Sequence, residues 1–110
     1  MTADDFRKLA LGIPDAFESA HVGHPDFRIA GKVFASLGAP DASWGMMKLT
    51  PDEQRRFGEK APSVFKPCNG AWGRRGYTNV YLATATKGVL SLALEAAARN
   101  VAPHAKRKPA

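Results

Sequence analysis

The stretch DFRIAGKVFASL, residues 26–37, is two short apolar-rich segments about the dipeptide Ala30-Gly31. Strand-forming residues on either side of a glycine-containing dipeptide predict a β-hairpin, and a hairpin makes neighbouring strands antiparallel. Alanine is a poor occupant of a two-residue primed turn, because both central residues must take positive φ. A longer loop with a bulge is therefore an alternative way to fix the register. Until the register is fixed, the faces of Arg28 and Lys32 stay open, since a one-residue slip moves every side chain to the other face.

Working outward from this hairpin, HVGHP at 21–25 interrupts a strand-like region that begins near Asp15, and Gly38 and Pro40 interrupt it on the other side. Residues 2–11 read as a short helix, with Thr2 as N-cap, Asp4 and Asp5 near the positive end of the dipole, and Phe6 and Leu9 at helical spacing. SWGMMKL at 43–49 is a further strand, with Trp44, Met46 and Met47 read as its core residues. Thr50-Pro51-Asp52-Glu53 carries a capping threonine, a proline at the first helical position and a glutamate at the third, so a helix starts at Pro51 and runs to about Lys60. Pro67, Asn69 and Gly70 read as a loop. In AWGRRGYTNVYL, residues 71–82, Thr78, Val80 and Leu82 alternate with Tyr77, Asn79 and Tyr81, the period of a strand. Leu90, Ala93, Leu94, Ala97 and Val101 form one stripe of a last helix from about Lys87 to Val101. The order α, several β, α, β, α predicts an α+β fold: an antiparallel sheet with helices packed on one face.

The 110 residues suit one domain, expected over 1–103, followed by a basic disordered tail at 104–110 that contains Lys106, Arg107 and Lys108. The net charge of +6 is unevenly placed. Residues 1–54 hold five Lys/Arg against eight Asp/Glu, and residues 55–110 hold eleven against two, so the basicity belongs to the second half. That balance permits a polyanionic partner without demanding one. A single cysteine, Cys68, excludes an intramolecular disulfide and reads as a small buried hydrophobe. The opening MTADDFRKLALGI lacks a basic region followed by an apolar run, and no stretch approaches the ~20 apolar residues of a membrane span, so a soluble cytoplasmic protein without membrane contact is expected.

HVGHPDFRIAGKVFASL at 21–37, KLTPDEQ at 48–54 and AWGRRGYTNVYL at 71–82 together resemble the MmcQ/YjbR family of small bacterial proteins. The matching positions are Ile29, Gly31, Lys32, Phe34 and Ala35, then Lys48, Leu49, Pro51 and Glu53, then Trp72, Gly73, Arg74 and Tyr77. Tyr77 stands where relatives often carry tryptophan. The resemblance implies a CyaY-like (frataxin-like) fold, and its members are commonly called DNA-binding.

Arg74 and Arg75 are the leading nucleic-acid candidates, because guanidinium groups bind phosphate in a bidentate manner while Trp72 or Tyr77 can stack on an unpaired base. Lys32, Lys48 and Arg28 would extend the patch where they share its face. The competing reading makes the arginines solvated and the rings a core-closing wall; on either reading Trp72 is expected to be a partly buried wall of the core, with Arg74 and Arg75 exposed. No helix-turn-helix, zinc-finger or RNP-type pattern supports base-specific readout. His21 and His24 lie three apart and reach the same side only if the chain turns at Gly23; with Glu18 or Asp26 they make a weak metal candidate, and no metal or cofactor is expected. GRRG neither follows a strand at the spacing of a phosphate loop nor opens a helix, and no triad is present, so an enzyme is not expected. The sequence therefore points to a DNA-binding protein working mainly through phosphate contacts with little sequence preference. The alternative is a module docking an acidic protein partner at the 71–77 loop.

Overall fold

A computed structural model describes residues 1–102 of the chain. The elements run α1 (Ala3–Leu11), β1 (Phe17–His21), β2 (His24–Ile29), β3 (Lys32–Leu37), β4 (Trp44–Lys48), α2 (Pro51–Lys60), β5 (Phe65–Pro67), α3 (Gly70–Arg74), β6 (Tyr77–Tyr81), a 3-10 turn (Leu82–Thr84) and α4 (Lys87–Val101). The basic tail expected from residue 104 onward lies outside the described residues. Six strands form one antiparallel sheet in the order β1-β2-β3-β4-β6-β5.

The hairpin of β2 and β3 closes in two residues after all, with Ala30 at φ 54° and Gly31 at φ 81°. An alanine there costs roughly 1–2 kcal/mol of backbone strain. Burial of Phe27, Ile29, Phe34 and Leu37 offsets it, at about 1.5–3 kcal/mol per side chain. The bulge is present as well, between Phe27 and Arg28, and it leaves Phe34 as an extra residue so that Phe34 and Ala35 are both buried. Register then settles the two open positions. Arg28 pairs with Val33 on one face, and Lys32 pairs with buried Ile29 on the other. A second two-residue turn, Val22 at φ 52° and Gly23 at φ 80°, joins β1 to β2.

Helices cover one face of the sheet. Phe6 of α1, Phe27, Phe34, Met47, Val80, and Leu90 and Leu94 of α4 are fully buried there, and α4 presents Ala93 and Ala97 beside them. Phe57 brings α2 onto the same side by packing against Phe65 of β5, ring centres 5.5 Å apart. The capping box expected at Thr50 and Glu53 forms, and the expected N-cap Thr2 proves to belong to a second one, closed by Asp5. The bond from the Thr2 backbone N–H, with help from its hydroxyl, holds the Asp5 carboxyl below its ordinary value. Asn100 closes the far end by donating to the Lys48 carbonyl at 3.0 Å and to the Glu53 carboxylate at 2.9 Å.

The region between α2 and β6 departs from expectation. The loop read at Pro67 to Gly70 contains the end of edge strand β5 and the start of α3, and the 71–77 loop comprises the body of α3, its C-terminal cap and the start of β6. Such short elements carry no periodic signal of their own. They exist because tertiary partners satisfy them.

Candidate nucleic-acid interface

The backbone explains the glycines of Gly73-Arg74-Arg75-Gly76. A Cβ on Gly73 would lie 1.8 Å from the Cys68 carbonyl oxygen, and one on Gly76 would lie 2.0 Å from that of Leu49. Gly76 also takes φ 107°, a conformation that L side chains rarely adopt. The Gln54 side-chain amide reaches across from α2 and donates to the carbonyls of Gly73 and Tyr77 and to the Thr78 hydroxyl, each at 3.1 Å. With α3 clamped against α2 and β6 in this way, Arg74 and Arg75 are left exposed at its C-terminal end.

Trp72 is not a wall of the core. It is 56% exposed, because the short helix carries the ring outward while Gly73, not the tryptophan, packs inward. The ring stands edge-on to Tyr77, centres 4.9 Å apart, and the Arg75 guanidinium lies 5.5 Å from the centre of the Trp72 ring. Lys48 completes the arrangement, its Nζ 5.2 Å from the centre of the Tyr77 ring. Lysine, tyrosine, tryptophan and arginine thus form a continuous run of cation, ring, ring and cation.

This run borders a depression of about 600 Å³ on the sheet face that the helices leave uncovered. Met46, Ser36 and Ala39 line it beside Trp72 and Tyr77, and His21 and His24 stand at its far end. A second depression of about 470 Å³ shares Trp72, Tyr77, Met46 and Ser36 and adds Cys68, Asn69 and Asn79. Trp44 and Met46, read as core, are half-buried on this open side; Trp44 packs on Tyr81 with centres 5.0 Å apart, and Gly45, Met47 and Leu49 are the buried positions of that stretch.

Arg28 and Lys48 both line the 600 Å³ depression, whereas Lys32 does not, being held on the opposite face by its pairing with Ile29. Arg28 is not a free cation either. It donates to both carboxylate oxygens of Asp26, at 2.9 and 3.0 Å, and this partner raises its affinity for its proton. Asp26 itself is only 3% exposed. It is the only acidic residue lining either depression, so its neutralisation by Arg28 leaves Lys48 and the α3 arginines as the uncompensated charges.

The turn at Val22-Gly23 pairs His21 with His24 across the hairpin, while Glu18 faces the other way and accepts from Arg7 at 3.0 Å. Among the described residues no three His, Cys, Asp or Glu side chains come together as a metal site. Cys68 is half-buried and its Sγ donates to Asn79 Oδ1 at 3.3 Å; burial pushes its thiol up. None of Met46, Ser36 and Asn79 was expected from the sequence as part of a site; Met46 was read as core instead. Their signal lay in combining two alternations, because Trp44, Met46, Tyr77 and Tyr81 make an outward row too aromatic for plain solvent contact.

No family model and no curated protein sequence matches the chain. Among the described residues, no helix is long and apolar enough to cross a membrane. Among solved structures, the fold is similar to that of Deinococcus radiodurans protein DR2400, described by the family-model domain DUF419, with a TM-score of 0.70 and 16% identity over 87% of this chain and 75% of that one. At that identity the likeness shows the fold alone: an α+β architecture built on an antiparallel sheet.

Proposed function

We propose that this protein is of the MmcQ/YjbR type, as its three sequence blocks suggest, and that it binds nucleic acid, DNA foremost, in the cytoplasm and without catalysing a reaction. Contact runs through phosphates with little sequence preference. The observation that carries this reading is the excess of positive charge around an exposed aromatic pair: Lys48 and Arg75 flank Tyr77 and Trp72, Arg74 is exposed next to Arg75 at the end of α3, and the one acid lining the depression is already paired. Phosphate neutralisation needs cations free of carboxylates, and stacking needs rings that are not covered.

The test is a titration of the full chain with random-sequence DNA over a range of salt. A linear fall of log affinity with log salt is expected, and replacing Arg74 and Arg75 by alanine is expected to flatten its slope by about two, at nearly unchanged melting temperature. A slope the same in both proteins would overturn the placement of the site. A second reading, docking of an acidic protein segment, draws on the apolar lining given by Met46 and Ala39. It predicts that polyglutamate displaces DNA at equal charge concentration.

A further inference from the structure

We infer that the open sheet face seats one unpaired nucleotide of a single strand, its base entering the depression beside Trp72 and its flanking phosphates resting on Lys48 and Arg75; this rests on the phosphate-binding reading above. Three observations carry it. The first is the order of groups, Lys48 over Tyr77, Tyr77 against Trp72, Trp72 under Arg75, at 5.2, 4.9 and 5.5 Å. A stackable surface lies between two cations, as a base lies between two phosphates. The second is concavity. A depression of about 600 Å³ falls within the roughly 300–1,000 Å³ of cavities that bury a small molecule, and it opens directly at the Trp72 ring. The third is its lining. Met46 and Ala39 offer an apolar bed, while Ser36 and, in the adjoining depression, Asn79 offer hydrogen-bonding edges.

A duplex cannot use this arrangement. Its bases are covered on both faces by their neighbours, so a ring standing on the protein can stack only on a base that is unpaired or extruded. Flat phosphate contact alone would need the cations and not the rings. A 56% exposed tryptophan on a rigid, glycine-packed helix is surface that a duplex leaves without use.

The experiment compares an oligothymidylate strand of about twelve nucleotides with a duplex of equal length, at low salt, using the full chain. Two variants separate base from phosphate: Trp72→Ala removes the ring, and Ser36→Phe fills the floor while leaving every charge in place. Thermal melts show that each variant is folded. The strand is expected to bind about tenfold more tightly than the duplex, and both variants are expected to lose most of that advantage while duplex affinity stays within about twofold. In a Trp44→Phe background, where Trp72 is the remaining tryptophan, the strand is expected to quench fluorescence more strongly than the duplex does. Equal affinity for the two forms, or a single-strand preference that survives both variants, overturns the seating of a base while phosphate binding stands. Failure of both forms to bind at low salt removes phosphate binding, and this inference with it.

Discussion

The two faces of the sheet are built from the same strands and do different work. On the covered face, Phe27, Met47 and Val80 alternate inward and are sealed by α1 and α4, so their identity is set by volume. On the open face, Arg28, Met46, Lys48, Tyr77 and Asn79 occupy the intervening positions and are only half-buried. Among the described residues no helix but the short α3, whose Trp72 borders Tyr77, lies against them, yet they are neither small nor uniformly polar. A surface free to be any soluble mixture that instead groups aromatic, sulfur-containing and cationic side chains around a concavity has the composition of a contact surface.

The sharpest way to break this contrast is to truncate one large ring on each face. Phe27→Ala is expected to destabilise by about 3–5 kcal/mol, whereas Trp72→Ala, from a 56% exposed position, should cost about 1 kcal/mol or less by chemical denaturation. Equal losses would mean that the open face is packed like a core. Next comes the seam between the faces. Gly76→Ala meets both the positive φ and the Leu49 carbonyl, so a loss of at least about 1–3 kcal/mol is expected, with weakened DNA binding because α3 moves. A variant that melts normally would show that α3 is not anchored there.

Asp26→Asn sharpens the electrostatic half of the comparison. Removing the carboxylate that holds Arg28 should lower stability by about 1–3 kcal/mol while steepening the salt dependence of DNA binding by about one, as Arg28 becomes free for phosphate. Unchanged salt dependence would place Arg28 outside the contact. The smallest effect concerns Cys68. Its raised pKa means that the folded chain holds less thiolate than the unfolded chain at mildly alkaline pH. Alkylation of the native protein should therefore lag behind that of the denatured protein near pH 8. The matching stability contribution is present below the ordinary thiol value and declines as pH rises through the folded one. Equal alkylation rates at pH 8 would contradict the burial of that thiol.

Legibility in the sequence followed the range of the interactions. Thr50-Pro51-Asp52-Glu53 placed the start of α2 because a capping box is made by residues three apart, and both of its hydrogen bonds form, at 2.9 and 3.1 Å. The alternation from Tyr77 to Leu82 and the stripe from Leu90 to Val101 likewise placed β6 and α4 with their buried sides. Turn chemistry was less transparent: the strain at Ala30 is offset by burial of the flanking Phe27, Ile29, Phe34 and Leu37 against the helices, which no dipeptide preference contains.

The sequence by itself determined the antiparallel α+β fold, the capped helices and the residue types of the candidate site, since these rest on local periodicity and capping. Tertiary structure alone decided which of those residues meet. The hairpin bulge and register sent Lys32 to the covered side and Arg28 to the open one, where Asp26 claims it. Cys68 against Gly73, Gln54 across to Gly73 and Leu49 against Gly76, about five, 19 and 27 residues apart in sequence, turned an apparent loop into α3 and swung Trp72 out of the core. The physical reason is that exposure of a side chain is a property of what packs behind its backbone, and at Trp72 the neighbouring Gly73 is pressed against the Cys68 carbonyl oxygen while Gln54 of α2 clamps it from across the fold.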